Sequence, residues 1–213
     1  MHLKFVSIIT ISFLLYSVAT SAAQVGNAID EFKPAEVQSH PYNDRVIYPY
    51  QPDIYLLFDY LEEGSKGNFG MALSLLKHAN GVYKSIYQSQ GSGDSYILKP
   101  SFYTATSLQG AVLILAEIGA EYSWGIRVFL LEPDLKVTDM GTLDVAVASE
   151  TEFMDGPVSA VPYTRVVVEE GGGYRFTFIR DVIFDPGGLK DRAVKREEIS
   201  YSFSDGELKL LMR

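Results

Sequence analysis

Cysteine is absent from the 213 residues, histidine occurs three times, and 18 Lys+Arg stand against 27 Asp+Glu. Each shortage excludes a class of chemistry. Without thiols there is no disulfide framework, no cysteine nucleophile and no lipid-modified cysteine. A net charge of −9 argues against nucleic acid as a partner, because such binding rests on Lys and Arg neutralising phosphates. A zinc site takes three or four His, Cys or carboxylate ligands, and beyond the first two dozen residues only His40 and His78 remain, far apart in the chain. No metal is expected.

Signature motifs are equally sparse. There is no Gly-x-Ser-x-Gly elbow, no EF-hand loop and no P-loop. Gly171-Gly172-Gly173 joins two strand-like runs rather than a strand to a helix, so it is no dinucleotide fingerprint. No cofactor is expected. His78 has no nucleophile motif to serve. The one basic cluster, Lys190, Arg192, Lys195 and Arg196, is interrupted by Asp191 and followed by Glu197 and Glu198, as in a solvated loop.

What is present is an ordinary globular composition, 47% hydrophobic, 13% aromatic and 21% charged. The first 23 residues form a targeting segment: Lys4 precedes an uncharged run from Phe5 to Val18, and Ser21-Ala22-Ala23 supplies the small residues a signal peptidase requires. Hydroxyl residues through the run and its shortness set it apart from a membrane span of about 20 apolar residues. Cleavage after Ala23 removes one lysine and no acid, moving the net charge from −9 to −10. The expected product is periplasmic or secreted, without a stable membrane anchor.

Residues 24–52, punctuated by Pro34, Pro41, Pro49 and Pro52, read as an extended or partly disordered arm, and residues 53–213 as a single β domain. The tyrosines at 42, 48, 50, 55 and 60 suit either sugar stacking or packing of the arm across a sheet. One short helix is expected near 69–79. Asn68 is a good N-cap, Phe69, Ala72, Leu73 and Leu76 share a helical face, and Gly81 is placed to end it. A hairpin at Asn80-Gly81 would instead set Lys77 opposite Lys84, an unfavourable pair.

Three hairpin registers bring apolar residues to one face and compatible polar residues to the other. Asp205-Gly206 pairs Phe203 with Leu208, Tyr201 with Leu210 and Ile199 with Met212; Ser204 then meets Glu207, and Ser202 meets Lys209. The glycine triplet pairs Val168 with Phe176 and Val166 with Phe178, with Glu169 beside Arg175. Asp139-Met140-Gly141 pairs Val137 with Leu143 and Leu135 with Val145, leaving Lys136 to face Asp144.

Residues 110–117 are nearly all apolar and read as a central strand. A strand follows from Gly125 to Glu132, turned at Pro133-Asp134, so that a four-strand meander covers about 110–148. The alternating run 174–184 exceeds the usual strand length and should break near Arg180 and Asp181. The predicted fold is all-β, mostly antiparallel, built of meander and hairpins: a β-sandwich or strongly twisted sheet, with a small propeller-like array as the alternative.

Carboxylates are the remaining source of chemistry. Glu117 and Glu121 flank the turn Ile118-Gly119-Ala120 beside Tyr122 and Trp124 and are the best candidates for the acid and base of a glycosidase. The same residues also describe a soluble hairpin tip. Candidate binding residues are Tyr122, Trp124 and Arg127, with the acidic loop Glu150, Glu152 and Asp155. The reading is of an exported, non-enzymatic binding protein of the cell envelope or extracellular space, with a basic protein (a secreted hydrolase it inhibits, for example) or a glycan as partner. A carbohydrate-active hydrolase using the paired carboxylates is the alternative.

Overall fold

The computed structural model describes residues 30–32, 38–39, 46–62, 68–150, 156–169 and 171–213; the targeting segment lies outside them. In chain order the strands begin with β1 (Asp30–Phe32), β2 (Gln38–Ser39), β3 (Val46–Gln51), β4 (Ile54–Leu61), β5 (Gly70–Ala79) and β6 (Val82–Gln88). They continue with β7 (Ile97–Thr104), β8 (Val112–Gly119), β9 (Ser123–Leu131), β10 (Val137–Leu143), β11 (Val145–Val147) and β12 (Val158–Ser159). The last six are β13 (Thr164–Val168), β14 (Tyr174–Phe178), β15 (Val182–Phe184), β16 (Arg192–Val194), β17 (Ile199–Ser204) and β18 (Glu207–Met212). Among the described residues the only helical turns are 3₁₀ segments at Thr106–Leu108 and Val161–Tyr163, so no helix is long and apolar enough to cross a membrane.

The strands form four antiparallel sheets arranged in layers. An outer sheet has the order β2-β3-β4-β5-β6, a central sheet β1-β7-β8-β9-β10, and two four-stranded sheets run β12-β11-β15-β16 and β13-β14-β17-β18. The central sheet is buried on both faces. On one, Leu113, Leu115, Ile126, Val128 and Leu130 pack with Val145, Phe176, Phe178, Ile199 and Tyr201 of the two four-stranded sheets. On the other, Ile114, Ala116, Ile118, Phe129 and Leu131 pack with Ile54, Leu56, Leu73 and Leu75 of the outer sheet. Continuous apolar composition in β8 is the sequence signature of that two-sided burial. The architecture is a layered β-sandwich rather than blades around a channel. Val46–Gln51, the end of the stretch read as an arm, is a strand of the outer sheet.

The short helix expected at 69–79 is absent: this segment is β5, joined to β6 by a tight turn with Asn80 at φ 52° and Gly81 at φ 76°. Lys77 does lie opposite Lys84. Both are exposed, and an opposed pair of like charges costs at most about 1 kcal/mol. Burial of Leu73, Leu75 and Leu76 stabilises the strand by about 1.5–3 kcal/mol for each side chain, which outweighs it. The helix signals have other uses. Asn68 Oδ1 accepts the Gly91 N–H at 2.6 Å, and Gly70, at φ 90°, lets the 91–93 backbone pass against the start of β5.

The C-terminal hairpin has the expected register at every pair from Ser204–Glu207 to Ile199–Met212. The β13–β14 hairpin is shifted by two residues, pairing Val166 with Phe176 and Val168 with Tyr174; the shift conserves facing and leaves Glu169 bonded to Arg175 at 2.6 Å. The hairpin at Asp139-Met140-Gly141 is replaced by a bulge. Asp139 lies opposite Phe129 and Gly141 opposite Val128, so Met140 is the extra residue and β10 stays on β9. Gly141, at φ 103°, also gives the Leu208 side chain room, since a Cβ there would stand 3.3 Å from Leu208 Cδ2. Lys136 pairs with Glu132 instead of facing Asp144, at 3.1 Å. The meander of four strands is therefore β7–β10, and β11 departs to another sheet. The run 174–184 breaks after Phe178, as expected, into β14 and β15.

Tyr201 ties the two layers at this departure. Its buried hydroxyl accepts the backbone N–H of Asp144 at 3.1 Å. Burial of the phenol, together with the Asp144 charge, holds its ionisation above the ordinary tyrosine range. The folded state therefore retains the phenolic proton where the unfolded chain loses it, and stability falls as pH rises past about 10. We expect Tyr201→Phe to cost about 1 kcal/mol in urea unfolding at neutral pH. The same substitution should flatten the alkaline loss of stability.

Candidate functional site

In a sandwich the outward face of an outer sheet is normally polar. Here it is not. Ile54, Leu56 and Phe58 of β4 face the core, which turns Tyr55, Leu57, Asp59 and Leu61 outward; on β5 the outward set is Ala72, Ser74, Leu76 and His78. Ile47 on β3 joins them opposite Leu57. Ile47 and Ala72 are each 1% exposed, although both lie on this outward face.

Two bulges flank the β4–β5 pair. The β3–β4 register shifts between Pro49 and Gln51, and β6 carries an extra residue at Ile86, with Leu75 opposite Tyr87 and Leu76 opposite Ser85. Bulges bend and twist their strands. A groove of about 470 Å³ lies on this face. Ile47, Leu57, Leu61 and Leu76 give it apolar surface, Asp59, Ser74, Ser85 and Gln88 its polar groups, and Val82 and Tyr83 complete the lining. The Gln88 side-chain amide donates to Ser74 Oγ at 3.3 Å. An aromatic cluster continues the face from Tyr83: its ring centroid is 4.5 Å from that of His78 and 5.3 Å from that of Tyr55.

The residues singled out from sequence are distributed differently. Glu117 is half-buried on β8 opposite Lys99 of β7, and Glu121 is exposed at the tip beyond that strand. Neither lines the groove or the three other cavities described. Tyr122 is packed against two loops: a Cβ on Gly187 would stand 2.3 Å from its hydroxyl, and one on Gly156 would stand 2.9 Å from its Cβ. Trp124 meets Tyr122 edge to face at 6.3 Å and packs against the core beneath the outer sheet.

Arg127 lies between the central and outer sheets. It forms a two-pronged pair with Asp139, Nε to Oδ1 at 3.0 Å, and its guanidinium lies 5.6 Å from the Phe129 ring centre. Tyr87 is beside this pair; burial pushes its pKa up, with Asp139 reinforcing and Arg127 opposing. Glu150 is an exposed partner of Arg180, while Glu152 and Asp155 lie outside the described residues.

Two members of the basic cluster are paired locally. Lys195 holds Asp181 at 2.7 Å, Arg196 holds Glu197 at 2.7 Å, and the Lys195 hydrogen bond keeps the Asp181 carboxyl below the usual range. Among the described residues no group of three or more His, Cys, Asp or Glu is arranged to hold a metal ion. The exposed aromatic pair is Tyr60 with Tyr96, parallel to within 3° at 5.6 Å, Tyr96 being 67% exposed.

Sequence reasoning missed the groove, though a signal was available. β4 reads Ile-Tyr-Leu-Leu-Phe-Asp-Tyr-Leu, apolar or aromatic on both faces. That pattern marks a strand buried on two sides or one with a face kept for a ligand. Comparison with protein families, curated proteins and solved structures finds no match to this chain.

Proposed function

We propose that the protein is an exported binding protein that acts without catalysis, and that the groove on its outer sheet takes a glycan. The observation that carries this reading is the outward face of β4 and β5, where Tyr55, Leu57, Leu61 and Leu76 stand in place of the polar residues such a face normally holds. Its volume of about 470 Å³ falls within the range of small-ligand sites, which combine a mainly apolar wall with a few placed polar groups. A pyranose asks for that combination: its C–H faces pack on aromatic and aliphatic surface, and its equatorial hydroxyls bond to carboxylate, amide and hydroxyl groups. Asp59, Ser74 and Gln88 are of those kinds. The uncharged segment Phe5–Val18 and the small residues ending at Ala23 support export.

Calorimetric titration with cello- and chito-oligosaccharides and with peptidoglycan fragments tests the groove. Binding by the wild type is expected, with Tyr83→Ala weakening it about tenfold through lost ring contact and Tyr96→Ala leaving it unchanged. A wild type that binds none of these glycans, or a Tyr83→Ala protein that binds as the wild type does, ends the proposal. N-terminal sequencing of protein from its native host tests export, the expected first residue being Gln24.

A further inference from the structure

The last strand presents an open edge that is complementary to itself. Among the described residues β18 has a neighbour on one side only, β17. The two-residue turn at Asp205-Gly206 makes Ser204–Glu207 a hydrogen-bonded pair, and such pairs alternate along an antiparallel ladder. Glu207, Lys209 and Leu211 therefore direct their backbone groups to β17, and so does Arg213, whose N–H reaches the Glu198 carbonyl at 2.9 Å. The N–H and C=O groups of Leu208, Leu210 and Met212 point the other way.

The side chains of those residues face the core side of the sheet, opposite the buried Phe203, Tyr201 and Ile199. The central sheet does not extend over all of them. Leu208 is half-buried against Gly141, whereas Leu210 is 40% and Met212 39% exposed. On the reverse face Leu211 is 37% exposed. Edge strands usually carry a bulge, a proline or an inward-facing charge that deters pairing. β6 and β10 have bulges; β18 has no bulge, proline or inward-facing charge, and its one lysine, Lys209, lies on the reverse face, paired with Glu207 at 3.0 Å.

We propose that β18 pairs antiparallel with β18 of a second copy, about a two-fold axis at Leu210. This interaction is independent of the groove reading. With Leu210 opposite its own counterpart, Leu208 meets Met212, so all three outward-directed residues find hydrogen-bonded partners in the register an antiparallel ladder requires. Both core-side rows become apolar and continuous. On the reverse face Lys209 meets Leu211, whose surface the lysine stem covers, and Glu207 meets Arg213, placing opposite charges together at both ends of the seam. The β13-β14-β17-β18 sheets of the two copies become one continuous sheet. Each particle then carries two grooves.

Sedimentation equilibrium of the full chain across micromolar to millimolar concentration tests the pairing. A reversible dimer is expected for the wild type. Leu210→Lys, which sets two ammonium groups against each other on the axis, should raise the dimer dissociation constant at least about tenfold, the factor that 1.4 kcal/mol makes. Glu207→Arg alone should weaken the dimer, and Glu207→Arg with Arg213→Glu should restore it, because the exchange re-forms the same two pairs. Circular dichroism of each variant monitors the fold. A wild type that stays monomeric over the whole range overturns the proposal, as does a dimer whose affinity the charge exchange fails to restore.

Discussion

Replacing Phe176 by alanine should lower the unfolding free energy by about 3–5 kcal/mol, the usual cost of emptying a fully buried aromatic site. Phe176 is completely buried where β14 meets the central sheet. The cost should fall on the whole molecule rather than on one layer. The strands that cover Phe176, β8 and β9, also supply Ile114, Ala116, Phe129 and Leu131 to the core beneath the outer sheet, so neither core can lose its packing without exposing the other. Trp124, the only tryptophan, packs against that second core and reports on it. We expect urea unfolding of Phe176→Ala followed by Trp124 fluorescence and by far-ultraviolet dichroism to give one coincident transition at a reduced midpoint. Two separated transitions would mean that the layers fold as independent units.

Gly70→Ala separates the two readings of residues 69–79 by sign. In the first turn of a helix the substitution would stabilise, by about 0.5–1 kcal/mol. In the strand it should destabilise by about 2–4 kcal/mol: φ is 90°, a conformation that costs an L-residue about 1–3 kcal/mol, and the bonds around it must give way as well. A Cβ at this position would stand 1.9 Å from the Gly93 carbonyl oxygen. The Gly93 backbone cannot simply withdraw, because its N–H bonds to Phe69 at 3.0 Å and the adjacent Ser92 N–H bonds to Met71 at 2.9 Å. The midpoint of urea unfolding against wild type decides between the two signs.

The helix expectation at 69–79 shows how a local pattern misleads. Phe69, Ala72, Leu73 and Leu76 fall on one helical face, but residues 72 through 76 are all buried, two of them toward the core and three on the outward face. Two-sided burial erases the alternation by which a strand is recognised. The same cause hid the groove. Tyr122, Trp124 and Arg127 stood out because aromatic and charged residues gather at one turn, yet Tyr122 clasps loops and Arg127 is paired between sheets. The groove draws on β3, β4, β5 and β6, and its apolar members, Ile47, Leu57, Leu61 and Leu76, individually look like core. Nothing in their types distinguishes a leucine facing a groove from one facing a core.

At the other end of the chain, Asp205-Gly206 sets the turn, the turn sets the register, and alternation from Ile199 to Met212 sets the facing. All of this is local chemistry, since neighbours a few residues apart decide it. The placement of β8 at the centre of the molecule was also legible, because a strand with no polar face can be stable only where both sides are covered. Which layers cover it was not. Gly141 serves a hairpin loop or a bulge equally well in isolation, and what selects the bulge is the bed of β9 beneath it and Leu208 above it. The extra residues at Tyr50 and Ile86 are of the same kind, since only pairing with the strands beside them makes them bulges. Backbone preference acts between near neighbours and can be read along the chain; packing acts between residues that only the folded molecule brings together.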